Sequence, residues 1–395
     1  MMRKSCRSER RIGCRSERSR GTCFSAVALL TLIACSANAQ QAPALKDVFK
    51  GSFLVGSALA PRQFDETDTR AVALIKQQFN TITPENVLKW EQVHPSPGVF
   101  NFAPSDHYVA FGERNGMFIV GHTLVWHSQV PRWVFEDSAG KPLTRDALVA
   151  RMKDHIQNVM GRYKGRIKGW DVVNEALNED GTMRQSPWFK IIGDDFVVKA
   201  FQLAHEVDPA AELYYNDYNL ANPAKRDGAI ALVKRIRAAG VPVTAIGTQD
   251  HHKLDWPSAA LVDSMFNAFR AAGIHAAVTE LDIDVLPRAT QNNTADVALR
   301  AQMQEKLNPY KDGLPDSTQQ ALATKYGDLF AVYVKNRDVI DRITFWGVTD
   351  GDSWLNGWPV RRRTNHPLLF DRQGKPKPAF DKVIRTAPQR PIGNE

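Results

Sequence analysis

The sequence predicts an α/β protein folded as a (β/α)8 TIM barrel, and two observations support that prediction. Short apolar runs of strand length alternate with longer helix-like segments, and eight such units follow one another along the chain. Several of these runs end in acids, amides or indoles, which suits parallel strands whose carboxyl ends meet at one cavity. Periodicity alone leaves a doubly wound open sheet as an alternative, because that fold alternates in the same way.

The predicted elements follow one another without a composition break or a Pro- or Ser-rich linker, which favours one domain. The predicted strands are residues 53–58, 80–83, 117–122, 167–173, 212–216, 244–248, the run that begins at Ala276, and 343–347. The predicted helices are residues 68–78, 105–115, 144–163, 187–207, 223–239 and 257–272.

Residues 1–39 are predicted to be a signal peptide, with a catalytic domain at residues 40–395. The first 20 residues hold eight basic and two acidic side chains, and an apolar run follows at residues 24–34. That run is too short to span a membrane, and Ala37-Asn38-Ala39 then offers a small-x-small cleavage site. We therefore expect export to the periplasm or the extracellular space. An alternative is a bacterial lipoprotein acylated on Cys35, because Leu32-Ile33-Ala34-Cys35 resembles a lipoprotein box.

Charge and cysteine content exclude several classes of function for the predicted mature chain. Residues 1–39 carry +6 of the formal charge of +8, so residues 40–395 carry only +2, which gives no support for a nucleic-acid partner. All four cysteines also lie in the leader, at Cys6, Cys14, Cys23 and Cys35. The mature chain therefore has no cysteine for a disulfide or a structural zinc site.

The stretch T-E-L-D-I-D at residues 279–284 ends an apolar strand with three acids. Side chains alternate along a strand, so Glu280, Asp282 and Asp284 share one side, where their charges repel unless one has a partner or a proton. A capping or Ca²⁺-binding acidic turn is the alternative for this stretch on its own.

A second acidic strand end changes that balance. The run W-D-V-V-N-E-A at residues 170–176 ends in Asn174 and Glu175, on a separate predicted strand. Two carboxylates that converge from separate strands are what glycoside hydrolysis requires. One protonates the leaving oxygen, and the other attacks or activates water.

The remaining strand ends carry amides, acids, histidines and indoles, a set that suits sugar binding because polar groups take hydroxyls and indoles stack on sugar rings. The candidate site residues at these ends are Glu85, Asn86, Lys89, His122, Trp126, Gln129, Asn216, Tyr218, Gln249, His251, Trp346 and Trp354. Any single tryptophan or histidine among them is more readily explained as a core residue, but the occurrence of the whole set at strand ends argues against that explanation. No metal site is predicted, because the adjacent His251 and His252 point to opposite sides of a strand. No Gly-rich phosphate loop is present either.

Residues 46–380 resemble glycoside hydrolase family 10, the endo-β-1,4-xylanases. The matching motifs are T-P-E-N-V-L-K-W, G-H-T-L-V-W-H-S-Q, W-D-V-V-N-E-A, Y-N-D-Y-N, G-T-Q-D-H, T-E-L-D-I and F-W-G-V-T-D-G-D-S-W. They are long, correctly ordered and cover nearly every predicted strand end. The resemblance implies an enzyme that cleaves internal bonds of xylan with retention of configuration and needs no cofactor.

The resemblance also implies a role for each site residue. Glu280 would be the nucleophile and Glu175 the acid/base, while His251 would bridge Glu280 and Asp282, and Asn174 would donate to the 2-hydroxyl of the reacting sugar. The remaining positions would bind the substrate. Lys89, His122, Trp126, Gln129, Gln249, Trp346 and Trp354 would line the cleavage point, Glu85 and Asn86 would hold the next sugar outward, and Asn216 and Tyr218 would lie near the leaving side.

Two segments are less well covered by the resemblance. Residues 287–315 form an insert with a helix-like patch at 295–307, and residues 356–366 contain Trp358 and the arginines Arg361, Arg362 and Arg363. Both are expected to flank the cleft, where they either shape subsites and bind acidic side groups or are simply solvated surface.

Two functional alternatives stay open from the sequence. One is a related retaining hydrolase that acts on another β-1,4-glycan or on short oligosaccharides, and the other is a barrel that only binds sugar. We expect a monomer with xylan or xylo-oligosaccharide as its substrate and with no obligate protein partner.

Overall fold

The computed structural model describes residues 43–287 and 306–388 of the chain. Its centre is a barrel of eight strands: β1 Leu54–Leu59, β2 Thr81–Pro84, β3 Phe118–Val125, β4 Gly169–Asn174, β5 Glu212–Asp217, β6 Ala245–Thr248, β7 His275–Asp284 and β8 Ile340–Phe345. Each strand pairs in parallel with the next along the chain. β8 also pairs with β1, in the register Val55 to Ile343, and this pairing closes the sheet. The predicted (β/α)8 barrel is confirmed, and the open sheet is excluded.

A short additional strand, His251–Lys253, follows β6 and pairs in parallel with the end of β7. Its register sets His251 opposite Asp282. The turn that leads into it uses Asp250, whose φ of 54° lies in the left-handed region. This extension brings a histidine of the β6 loop beside the acids at the end of β7.

Helices follow the strands, and several of them begin at a residue whose side chain caps the first turn. In the described parts of the chain they are Leu45–Val48, Pro61–Phe64, Thr69–Gln78, Trp90–Val93, Ala103–Arg114, Arg145–Arg162, Pro187–Ile192, Phe196–Val207, Pro223–Ala238, Ala259–Ala271, Asp316–Lys335 and Pro378–Arg385. Asp68 Oδ1 accepts from the Ala71 amide at 3.1 Å, and Ser258 Oγ accepts from the Leu261 amide at 3.3 Å. Such bonds satisfy amides that lack a partner in the first helical turn.

Two helix predictions differ from the structure. The single helix predicted at residues 187–207 is two helices, because Gly193 adopts a φ of 102° that ends the first one. The Asp316–Lys335 helix was not predicted, although Leu322, Tyr326, Leu329 and Tyr333 are buried at helical spacing and give the expected periodic signal.

The barrel interior is a packed core and not a channel. Gly169 on β4 lies so close to Tyr214 on β5 that a Cβ atom there would come within 2.4 Å of the Tyr214 hydroxyl oxygen. On the same face of the sheet the Arg342 guanidinium lies 4.3 Å from the Tyr214 ring centroid. Active sites of such filled parallel barrels lie at the carboxyl ends of the strands.

Some predictions fall beyond the described residues. The predicted signal peptide at residues 1–39, with Cys35, lies outside them, as do residues 295–305 of the predicted helix-like patch. The start of the catalytic domain at residue 40 also stays a prediction. Within residues 43–287 and 306–388, no helix is both long enough and apolar enough to cross a bilayer.

Candidate active site

A cleft of about 730 Å³ opens at the carboxyl ends of the barrel strands. All the predicted site residues except Asn216 and Asp282 line it. The lining residues are Glu85, Asn86, Lys89, His122, Trp126, Ser128, Gln129, Asn174, Glu175, Tyr218, Asn219, Gln249, His251, Glu280, Trp346, Trp354 and Trp358. Side chains from the ends of β2 to β8 therefore converge on one cavity, as the barrel closure requires.

Asn216 and Asp282 lie just behind the cleft wall. Asn216 is fully buried, and its Nδ2 donates to Glu280 Oε1 at 2.9 Å. Asp282 is also buried, and its Oδ2 accepts from Trp354 Nε1 at 2.8 Å. The structure thus places Asn216, expected from the resemblance to bind substrate, as a support for Glu280 and away from the cleft surface.

Glu280, at the end of β7, is held by charged and polar groups. His251 Nε2 lies 3.1 Å from Glu280 Oε2, and His251 Nδ1 lies 3.0 Å from Asp282 Oδ1. Burial lowers the pKa of His251, but the two carboxylates, Asp282 first, outweigh it and raise that pKa to about 10. His251 is therefore a cation at neutral pH.

The cationic His251 keeps Glu280 ionised. Burial alone would raise the pKa of Glu280, but the hydrogen bond from His251 and the charges of His122, His251 and Lys89 bring it below its ordinary value. Asn216 Nδ2 donates to the other carboxylate oxygen. Glu280 is thus a buried carboxylate at neutral pH that points into the cleft.

Glu175, directly after β4, is held by uncharged donors. Gln249 Nε2 donates to Glu175 Oε1 at 3.0 Å, and Trp126 Nε1 donates to Glu175 Oε2 at 3.0 Å. The Glu175 backbone has a φ of 57°, and its amide donates to the Asn216 carbonyl at 2.8 Å. A left-handed non-glycine residue is unusual, and here it turns the chain at the strand end, where the side chain lines the cleft.

Asn174 links the two glutamates. Since Asn216 Nδ2 faces the Glu280 carboxylate, it must be a donor, so the Asn174 atom 2.9 Å from it is the acceptor Oδ1. Asn174 Nδ2 then faces Glu175 Oε1 at 3.3 Å and borders the cleft, where it is available to a substrate hydroxyl.

The β2 and β3 side of the cleft is built around a buried lysine. Lys89 Nζ donates to Gln129 Oε1 at 2.8 Å and lies 5.1 Å from the Trp126 ring centroid. Burial lowers the pKa of Lys89, although the carboxylates of Glu280, Glu85 and Glu175 oppose that shift. Burial also raises the pKa of Glu85. His122 also lines this side, and its Nδ1 lies 2.9 Å from Asp171 Oδ2, behind the cleft.

Three indoles from the end of β8 and the segment that follows it also line the cleft, and their exposure differs. Trp346 is 7% exposed, Trp354 is 38% exposed and Trp358 is 59% exposed. Trp358 belongs to the 356–366 segment, so that segment does flank the cleft. Of its arginines, Arg363 is buried and donates to the Trp358 carbonyl at 3.2 Å, whereas Arg361 and Arg362 are exposed.

Sequence reasoning named neither Ser128 nor Asn219 as a site residue, although both line the cleft. Each adjoins a named residue, Gln129 or Tyr218, in a strand-end motif. Their position in the motif was the available signal. Within the described residues, no group of three histidine, cysteine or carboxylate side chains is placed to hold a metal ion.

The comparison with known families decides the identity of this site. The family model Glycosyl hydrolase family 10 matches residues 44–386. The chain belongs to this family. The resemblance inferred from the strand-end motifs is confirmed, and the protein is a glycoside hydrolase.

Similar glycosyl hydrolase family 10 proteins match along most of their own length. The chain is 45% identical over 356 residues to endo-1,4-beta-xylanase A of Xylanibacter ruminicola, covering 90% of this chain and 96% of that protein. It is 40% identical to a beta-1,4-xylanase of Dictyoglomus thermophilum, covering 88% of this chain and 92% of that one. A solved structure of a GH10 endoxylanase from a sugarcane soil metagenome matches with a TM-score of 0.82 and 44% identity. That match covers 87% of this chain and 99% of the other.

Proposed function

We propose that the protein is an endo-β-1,4-xylanase that hydrolyses internal β-1,4-xylosidic bonds with retention of configuration. The observation that carries this proposal is the pair of glutamates in one cleft, Glu280 beside a cation and Glu175 among neutral donors. Relatives that match over nearly their whole length are xylanases by name, which supports xylan as the substrate.

In the first step the ionised Glu280 attacks the anomeric carbon of the sugar at the cleavage point. Glu175 gives its proton to the glycosidic oxygen as the bond between that oxygen and the anomeric carbon breaks. The leaving sugar departs as an alcohol, and a covalent glycosyl-enzyme on Glu280 remains.

In the second step water attacks the same carbon from the face that the leaving sugar vacated. Glu175, now a carboxylate, takes the proton of that water, and the ester bond to Glu280 breaks. Two inversions restore the β configuration and return both glutamates to their starting protonation states.

The surrounding residues prepare these steps. His251 favours the ionised state of Glu280, and Asn174 Nδ2 meets the 2-hydroxyl of the reacting sugar. The wall at the cleavage point comprises Lys89, His122, Trp126, Gln129, Gln249, Trp346 and Trp354. Glu85 and Asn86 take the next sugar outward, and Tyr218 lines the leaving side.

Release of reducing ends from xylan, with loss of that release in Glu280→Ala, tests the proposal against a barrel that only binds sugar. Parallel assays on a soluble β-1,4-glucan separate a xylanase from a hydrolase with another glycan preference. NMR of the first-formed product should show the β-anomer. A crystal structure should place the Glu175 and Glu280 carboxyl groups roughly 5–5.5 Å apart, whereas about 9 Å would contradict retention.

We also propose that the enzyme is exported, is cleaved after Ala39 and acts as a monomer. The basic segment, apolar run and small-x-small site support the cleavage. The intact mass of the mature protein should match a chain that begins at Gln40. A mass that includes diacylglycerol on Cys35 would instead establish a lipoprotein. Light scattering should give the mass of one chain.

A further inference from the structure

A buried lysine lies directly behind the wall of the cleft on the predicted leaving side. Lys225, in the first turn of the Pro223–Ala238 helix, has a side chain with no solvent exposure. Its Nζ lies 3.3 Å from the centroid of the Tyr218 ring. Because Tyr218 also lines the cleft, the ring separates this ammonium from the space a substrate occupies.

The same ammonium joins two loops. Lys225 Nζ lies 3.0 Å from Asp217 Oδ1, at the end of β5, and 3.2 Å from Glu179 Oε1, in the loop that follows Glu175. Burial raises the pKa of Asp217 to about 6, even with Lys225 and Tyr215 opposing that shift, so Asp217 is ionised at pH 7. Lys225 therefore ties the β5 loop to the loop that carries the acid/base.

Arg184 fixes the other end of the Tyr218 side chain. Its Nη2 donates to Tyr218 Oη at 2.9 Å, and its Nε donates to the carbonyl oxygen of Glu175 at 3.0 Å. The ring is thus held at its face by Lys225 and at its hydroxyl by a group bonded to the Glu175 backbone. The position of this ring relative to Glu175 is set by two cations, neither of which lines the cleft.

We propose that Lys225 is a positioning residue that holds Tyr218 as the platform for the first sugar on the leaving side. The inference rests on the proposed function and names a residue that sets the enzyme's affinity for the sugar on the leaving side. A sugar that leaves with Glu175's proton must lie flat against a fixed surface for its oxygen to meet that proton. An aromatic ring gives that surface only if its tilt is fixed, and the ammonium behind it supplies the constraint.

The test compares substrates that differ only on the leaving side. Xylotetraose places sugars against Tyr218, whereas an aryl β-xylobioside places only its aryl group beyond the cleavage point. In Lys225→Met the ratio of kcat/KM on xylotetraose to that on the aryl xylobioside should fall roughly tenfold. Lys234→Met, an exposed lysine of the same helix, is the matched control and should leave the ratio unchanged.

A second pair of variants separates positioning from folding. Removing one partner of a buried ion pair often destabilises a protein, so Lys225→Met/Asp217→Asn, which leaves no unpaired charge in that pair, carries the same test if the single variant melts early. In a Tyr218→Leu background, Lys225→Met should lower the ratio no further, because its effect passes through the ring.

The outcomes distinguish this inference from the proposed function. A wild-type enzyme that releases nothing from xylotetraose would contradict both the proposed function and the positioning role of Lys225. An active wild type whose ratio is unchanged in folded Lys225→Met overturns the positioning role alone, as does an equal loss on both substrates. A further fall in the Tyr218→Leu background would also overturn it, since Lys225 would then act by another route.

Discussion

Glu175 and Glu280 are both glutamates at the ends of barrel strands, yet their surroundings differ in kind. Glu280 contacts His251, whose pKa is raised to about 10 by carboxylates, and it lies within the field of Lys89 and His122. Glu175 contacts the uncharged Gln249 amide and the Trp126 indole. A cationic partner adds a charge–charge attraction to its hydrogen bond with a carboxylate, whereas an uncharged donor supplies only the hydrogen bond. This difference supports the proposal that Glu280 is the nucleophile and Glu175 the acid/base.

The two glutamates are connected to each other through the side chains of two asparagines. Asn174 and Asn216 form a hydrogen-bonded chain between them, with 2.9 Å from Asn216 Nδ2 to both Glu280 Oε1 and Asn174 Oδ1. Both sites share this amide link, so the difference in role must come from the groups outside it. The predictions below remove those groups in order of expected effect.

Exchanging each glutamate for alanine should produce the largest and most asymmetric effect. Glu280→Ala should lose roughly 10⁴-fold or more of activity on every glycoside, because no nucleophile remains. Glu175→Ala should lose about 10²- to 10⁴-fold on xylan but form the glycosyl-enzyme normally from an aryl glycoside with a very acidic leaving group, which needs no proton. Burst kinetics on such a substrate measure this formation step.

Added azide gives an independent check on that assignment. In Glu175→Ala azide can replace water in the second step, so the product should be the β-glycosyl azide. In Glu280→Ala azide can only attack from the nucleophile's own face, which gives the α-product.

Identical losses on xylan and on the aryl glycoside in Glu175→Ala would contradict the role of Glu175 as acid/base.

Removing the cation beside Glu280 should give the next largest effect. In His251→Gln the Glu280 carboxylate loses the hydrogen bond and charge that lower its pKa, so that pKa should rise. Glu280 must be ionised to attack, so the acid limb of kcat/KM should move to higher pH, and activity at neutral pH should fall roughly 10²- to 10³-fold.

His107→Gln is the matched control for this change. His107 is exposed and paired with Asp65, far from the cleft lining, so its loss should leave the pH profile as in the wild type. An acid limb that stays in place in His251→Gln would show that the histidine does not set the ionisation of Glu280.

Removing one neutral hydrogen-bond donor from Glu175 should lower activity less than removing the cation beside Glu280. Trp126→Phe keeps a ring near Lys89 but deletes the Nε1–H bond to Glu175 Oε2, a change worth up to about tenfold. The loss should appear on xylo-oligosaccharides and shrink on aryl glycosides that leave without a proton. Trp133→Phe deletes an indole bond to the Pro95 carbonyl away from the cleft lining and should show no such dependence.

Sequence patterns predicted the barrel and most of the cleft because both depend on local signals. Strand-length apolar runs and their polar ends are visible in one dimension, so Glu175, Gln249 and Glu280 were located before any coordinates. The placement of Asn216 was not predicted. Its burial behind Glu280 depends on the register of β5 against β4 and β6, which strand-end motifs do not encode.

Other features follow only from three-dimensional packing. The left-handed backbone of Glu175 and the cis peptide between His122 and Thr123 cannot be predicted from the types of these residues. The ammonium of Lys225 under Tyr218 joins residues of different elements, and nothing in the sequence distinguished Lys225 from Lys234, the other lysine of its helix. Long-range electrostatic contacts of this kind require coordinates.

Substitutions at Trp354 probe the Glu280 side further, and they test the selectivity between sugars rather than the overall rate. Trp354 has two contacts to separate: its Nε1 donates to Asp282 Oδ2 at 2.8 Å, and its half-exposed ring forms part of the cleft wall. By the family resemblance, this ring and Gln129 pack where the C5 hydroxymethyl group of glucose, absent from xylose, would project. A wall that rejects a group of that size is worth about 1–3 kcal/mol, or roughly ten- to two-hundredfold.

Trp354→Ala removes both contacts, whereas Trp354→Phe keeps a wall and loses only the bond to Asp282. Trp354→Ala should therefore lower kcat/KM on aryl β-xylobioside and lower it less, or raise it, on aryl β-cellobioside. Trp354→Phe should lower both to a similar extent, because a weaker hold on Asp282 affects His251 and Glu280 whatever the sugar. The ratio of the two kcat/KM values is the measurement. A ratio that stays at the wild-type value in Trp354→Ala would show that other residues determine the selectivity for xylose. The neighbouring Trp358, on the 356–366 segment, would then be the next position to substitute.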